Sequence, residues 1–77
     1  MSFTIETITA FVSVDKDGEE GIIGQLIDGA WMPFVCADEE RFNRIFPMCK
    51  EFCEKTGVKF KILRFSTRAD ITSEYIP

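Results

Sequence analysis

Histidine is missing from all 77 residues. Its absence removes the commonest general base, the side chain that titrates near neutral pH, and the usual zinc ligand. Cysteine is scarce and odd in number: Cys36, Cys49 and Cys53. A secreted disulfide framework carries an even count, so these three are expected as free thiols packed like small hydrophobes in a reducing cytoplasm. No run approaches the roughly 18 consecutive apolar residues of a transmembrane helix. The opening Met1-Ser2-Phe3-Thr4-Ile5-Glu6 has neither the basic nor the apolar region of a secretory signal. A cytoplasmic protein without membrane contact is expected. Repeats, linkers and low-complexity tracts are lacking too, and the length suits one domain, residues 1–77.

What is present is apolar weight and acid. Eight of the aromatics are Phe, and 45% of the chain is hydrophobic. Thirteen acids against nine bases give a net charge of −4, which argues against nonspecific nucleic-acid binding. The charge is unevenly spread along the chain. Residues 1–40 hold nine acids and one base, whereas residues 41–77 hold eight bases and four acids.

The pattern predicts an α+β domain. Ile8, Ala10, Val12 and Val14 alternate with Thr7, Thr9, Phe11 and Ser13, which reads as a long first strand. Phe3 and Ile5 fall in the opposite phase, so the strand starts near Thr7 or bulges near Glu6. Asp17-Gly18 and Asp28-Gly29 mark two hairpin turns. They set off a second strand over 22–27 and a third over 31–36. Pro33 cannot donate to a ladder, so the third strand belongs at a sheet edge. Asp38 caps a helix whose apolar stripe is Phe42, Ile45, Phe46, Cys49, Phe52, Cys53 and Thr56, and Gly57 ends it. Pro47 inside it predicts a kink or break at Phe46. Val58, Phe60 and Ile62 alternate with Lys59 and Lys61 in a fourth strand to about Phe65, with Leu63 and Phe65 on the lysine face. A short helical turn capped by Thr67 follows. Two hairpins make an antiparallel meander, and the helix returns the last strand parallel to its neighbour. The expected order is 3-2-1-4 with the helix on one face.

No catalytic pattern emerges, and a non-enzymatic protein without cofactor or metal is expected. The acidic segment Asp15, Asp17, Glu19 and Glu20 fails the calcium-loop register, lacking the first acid and the bidentate Glu at the end. Cys36, Cys49 and Cys53 lack a fourth ligand and the Cys-x-x-Cys spacing of a zinc site. Gly18, Gly21 and Gly24 sit in a hairpin, not ahead of a helix as a phosphate loop would. Lys59, Lys61, Arg64 and Arg68, interleaved with Phe60 and Phe65, have the look of a nucleic-acid strand, yet the alternation turns Phe60 towards the helix and the chain is acidic. Trp31, Met32 and Phe34 have the composition of an interface centre, or else close one end of the core. One helix covers one sheet face, and Phe11, Ile22 or Ile23, Leu63 and Phe65 leave the other partly apolar. A homodimer through that face or an edge strand is therefore expected.

The run from Ile8 through Ile22, Asp28-Gly29-Ala30-Trp31-Met32-Pro33, Ala37-Asp38, Thr56-Gly57 and Leu63 to Ile71 resembles short uncharacterised proteins of bacteriophages and prophages. The likeness is scattered over most of the chain. It implies a protein that binds and redirects a host protein or counters a host defence. The expected contact surface is the acidic hairpin (Asp15, Asp17, Glu19, Glu20) with the edge strand (Trp31, Met32, Phe34). The alternative is capture of a small molecule such as a nucleotide by Lys59, Lys61, Arg64 and Arg68 at a basic dimer cleft.

Overall fold

A computed structural model describes residues 4–76. Phe3, whose phase entered the reading of the first strand, lies outside the described residues. The element order is β1 (Ile8–Val14), β2 (Glu20–Ile22), β3 (Gly24–Ile27), β4 (Ala30–Pro33), β5 (Val35–Cys36), α1 (Glu39–Thr56), β6 (Lys59–Phe65) and α2 (Thr72–Tyr75). This is a small α+β fold with two antiparallel sheets and one main helix.

β1 is the spine. Along one edge it pairs with β6 over its whole length, from Ile8↔Phe65 to Val14↔Lys59. Its other edge is shared: β2 pairs the far half through Ser13↔Gly21, and β5 pairs the near half through Thr9↔Cys36. Between those partners the chain leaves the sheet as a separate two-stranded arm, β3 with β4. The predicted order 3-2-1-4 is thus met only in part. The last strand does lie beside the first, but the second strand, expected over 22–27, splits at Ile23: Ile22 pairs β1 on its other side, while Gly24–Ile27 leaves for the arm. The third strand likewise splits at Phe34, its first half pairing β3 and its second half returning to β1.

The last strand is also antiparallel to its neighbour, not parallel. β5 and β6 both run against β1, so the strands that α1 connects are parallel to each other with β1 inserted between them. The crossover geometry expected of a helix that long is kept. It simply spans one more strand than the shortest path would.

Pairing places residues on faces. Phe11 stands opposite Ile62, Ser13 opposite Phe60 and Thr9 opposite both Arg64 and Cys36, all on the side of α1. The fully buried Phe11 ring lies 5.4 Å from Phe42 and 6.5 Å from Phe60, so the helix face is built around Phe11. Ile23, Phe34, Cys36, Ile45, Cys49 and Cys53 complete that core. Phe11 is therefore corrected from the outer face to the covered one, and Ile23 with it. Ala10 and Val12 are buried on the opposite face, where strands on both sides shelter them, while Ile22 and Phe65 on that face remain exposed. The register of β6 is unbroken, so Leu63 and Phe65 reach the lysine face without a bulge.

The helix follows its sequence signals at both ends. An Asp38 carboxylate oxygen accepts from the Arg41 N–H at 2.7 Å, and Gly57 takes φ 77° while its N–H donates to the Cys53 carbonyl. Helix runs unbroken from Glu39 to Thr56 through Pro47. Pro47 is exposed, and so is Asn43, whose carbonyl loses the bond, so water can take its place. Thr56 lies outside the buried stripe and bonds the Phe52 carbonyl through its hydroxyl, whereas Met48 packs on the core in its stead. The C-terminal turn begins four residues later than the Thr67 cap implied. Asp70, not Thr67, holds its start, accepting from the Thr72 N–H at 3.0 Å, which draws that carboxyl below its usual range.

Candidate protein-interaction surface

Two projections carry the residues picked out in the sequence. The first is the β1–β2 hairpin. Asp15 Oδ1 accepts from the N–H groups of Asp17 and Glu19, each at 2.9 Å, and the Asp15 carbonyl accepts from Gly18. Gly18 takes φ 82°, the left-handed residue that closes a three-residue loop. Asp15 is thus the brace of the loop, while Asp17 and Glu19 present their carboxylates to solvent. Glu20 pairs across the sheet with Lys61 at 3.4 Å, so it is already engaged. Among the described residues, no three carboxylates or thiols converge as a metal site would require.

The second projection is the β3–β4 arm. Its turn is Asp28-Gly29 with φ 53° and 82°, both positive as a type I′ turn demands. Leu26 stands opposite Trp31 and Gln25 opposite Met32. Trp31 is 61% and Leu26 68% exposed, an unusual display of apolar area on a free ribbon. The indole lies over Gly24, where any Cβ would collide with the ring and come within 2.9 Å of the Met32 carbonyl. That close approach needs glycine. A two-stranded ribbon is marginal alone in water. Here its root is fixed by a triangle of backbone bonds: Ile23 N–H donates to Phe11, Phe34 N–H to Ile23, and Phe11 N–H to Phe34, at 2.9, 2.7 and 3.0 Å. The arm and the exposed C-terminal segment stretch the chain. Its radius of gyration is 14.7 Å, against about 11.5 Å for a compact domain of this length.

Phe34 belongs to neither surface. Its side chain is 1% exposed and sits in the core, so it closes one end of the interior and leaves the contact set. Trp31 and Met32 remain outside. Leu26, missed in the sequence, joins them; the Asp-Gly turn five residues before Pro33 set the register that puts it opposite Trp31.

The four bases of the alternative site do not meet within one chain. Lys59 and Lys61 share the open face of the sheet and Lys61 reaches Glu20, while Arg64 points to the helix side, opposite Thr9. Arg64 borders a hollow with Asp38 and Asn43, and Arg68 borders another with Glu6 and Thr67. The uneven charge along the chain is also folded together, because the lysines of β6 lie beside the acidic hairpin across β1.

The cysteines are buried and free. Burial pushes the Cys49 thiol up to about 12, reinforced by its neighbour Cys53. Burial also raises Cys36, with Asp38 adding to the effect and Arg41 opposing it. None of this favours a thiolate. Among the described residues, no helix is long and apolar enough to cross a membrane. No family model, curated protein or solved structure matches the chain.

Proposed function

We propose that this chain is a non-enzymatic protein-binding module of the kind phages and prophages encode, and that it engages a host protein through the β3–β4 arm. The observation that carries the reading is the exposed Leu26–Trp31 pair on a ribbon that the core does not need for coverage. Aromatic and Met side chains on a projecting ribbon supply large apolar contact area at small entropic cost. The acidic hairpin adds steering: Asp17 and Glu19 favour a partner with a basic patch and raise the rate of encounter more than the final affinity. A host factor that ordinarily holds nucleic acid has such a patch.

The test uses the tagged chain expressed in a host culture, with partners recovered and compared by mass spectrometry. Leu26→Ser with Trp31→Ala is expected to lose the captured partner while the melting temperature stays within a few degrees. Reversal of Asp17 and Glu19 is expected to slow capture and reduce its salt dependence, leaving Asp15 to brace the loop. Equal recovery with the Leu26/Trp31 variant would overturn the assignment of the arm. Trp31 is the single tryptophan, so a blue shift of its emission on adding the purified partner gives a direct second reading.

A further inference from the structure

We propose that the free edge of β6 pairs with β6 of a second copy, antiparallel and centred on Ile62, joining two sheets into one across a twofold axis. The inference rests on the sheet and stands independently of the arm. Among the described residues, β6 pairs only with β1, so one whole edge of a seven-residue strand is open. It has no proline and no bulge. Natural sheets seldom leave so regular an edge uncovered.

Which backbone groups face that edge follows from β1. Phe11 gives its N–H and carbonyl to Phe34 and Ile23, on the β2–β5 side. Phe11↔Ile62 is therefore a non-bonded pair of the β1–β6 ladder, and bonding alternates from there. Lys59, Lys61, Leu63 and Phe65 turn their backbone groups to β1. Phe60, Ile62 and Arg64 turn theirs outward. Those three are symmetric about Ile62, the midpoint of β6. Laid antiparallel on a copy of itself, the strand matches Ile62 with Ile62 and Phe60 with Arg64, twice, so every outward N–H and carbonyl finds a partner.

The usual bland account of Lys59, Lys61 and Arg64 is that charge protects the edge. In this register no base opposes a base. Lys61 stands opposite Leu63, Lys59 opposite Phe65, and Arg64 opposite the Phe60 ring, a cation–π arrangement. The two Lys61 side chains are diagonal neighbours on the open face, where each already has Glu20 at 3.4 Å. A shift by two residues one way sets Lys61 against Lys61. A shift the other way loses one of the three bonded pairs. Charge thus disfavours one neighbouring register and bond count the other, and neither forbids pairing.

The helix side has room. α1 packs towards β5 and leaves a groove beside β6, its floor made by Phe46, Cys53, Val58 and Phe60 and its border by Glu54 together with Lys50 and Lys59. Ile62 is on the covered face yet 40% exposed, because α1 does not reach it. A second copy supplies what is missing: Ile62 against Ile62, with Arg64 over the Phe60 ring.

The test is the mass in solution of the full chain by light scattering across a concentration series. A dimer of twice 8.8 kDa is expected. Ile62→Lys places two ammonium groups face to face and is expected to halve the mass. Ile62→Pro removes only an outward N–H, so it spares the β1 ladder and is expected to give a folded monomer by circular dichroism. Ile22→Lys, on the open face, and Trp31→Ala, on the arm, are expected to remain dimeric. A monomeric wild-type chain would overturn the proposal. So would a dimer that survives Ile62→Lys, or one that Ile22→Lys or Trp31→Ala breaks.

Discussion

Phe34 and Trp31 lie three residues apart in one stretch of chain, and truncating each should have opposite consequences. Phe34 is 1% exposed, belongs to the same core cluster as Phe11, Ile23 and Cys36, and through its own N–H and carbonyl is part of the triangle of bonds that roots the arm. Removing a buried Phe side chain to Ala costs about 3–5 kcal/mol, as lost burial plus a cavity. A chain of this length holds about 4–12 kcal/mol in total. Phe34→Ala should therefore lose about a quarter of the stability at the least, and at the low end of that range the fold would not survive it. Trp31→Ala forfeits mainly the cross-strand contact with Leu26, worth about 0.2–1 kcal/mol. Urea unfolding followed by far-ultraviolet circular dichroism measures both, since Trp31 cannot report on its own deletion. Equal costs, or a Phe34→Ala penalty below about 1 kcal/mol, would refute the division between root and arm. That result would mean that the ribbon, not the sheet with its helix, carries the cooperativity.

Gly24→Ala should displace the indole and strain β4 against the Met32 carbonyl, which a change in Trp31 emission would show, with the β1–β6 sheet intact by amide exchange. Asp38→Ala should cost about 1 kcal/mol of stability through the lost N-cap, read as a lower urea midpoint. The buried thiols should resist alkylation in the native chain and react on unfolding. Cys49, and Cys36 with it, should also make stability fall with alkali. The unfolded Cys49 ionises near its ordinary 9.0 while the folded thiol holds its proton to about 12, so the contribution is whole below pH 9 and is lost as pH rises towards 12. The slope is roughly 1.4 kcal/mol per pH unit for each such thiol, and Cys49→Ala should flatten it.

Local signals located most of the elements. Asp38, the three- and four-residue spacing of the apolar stripe and Gly57 fixed α1, because capping and amphipathicity are decided within a few residues. Alternation gave β1 and β6, and Asp-Gly gave both turns. The interior of the second and third strands was not legible in the same way. Ile23 and Phe34 look like any other apolar strand residues. Only their bonds to Phe11, more than ten residues away in sequence from either, make them the root where two strands leave the sheet. The face of Phe11 was hidden for a similar reason. Its neighbours Ala10 and Val12 are equally apolar, and the strand is buried on both sides.

The candidate surface divides along the same line. Exposure of Trp31 and Met32 and burial of Phe34 differ by a reversal of pairing partner at one residue. Composition carries no trace of that. Likewise Lys59, Lys61, Arg64 and Arg68 form a basic cluster in sequence, but a period of two sends alternate side chains to opposite faces and a salt bridge occupies one of them.

By itself, then, the sequence determined the missing histidine, the free thiols, the helix and its two ends, the acidic loop and the turn chemistry. Each depends on residue identity or on contacts within a turn or two. Only the tertiary structure decided which face of β1 meets the helix, where the ribbon leaves the sheet, and which edge of β6 stays open. Those depend on long-range pairing, whose register is set by the whole set of strands competing for β1.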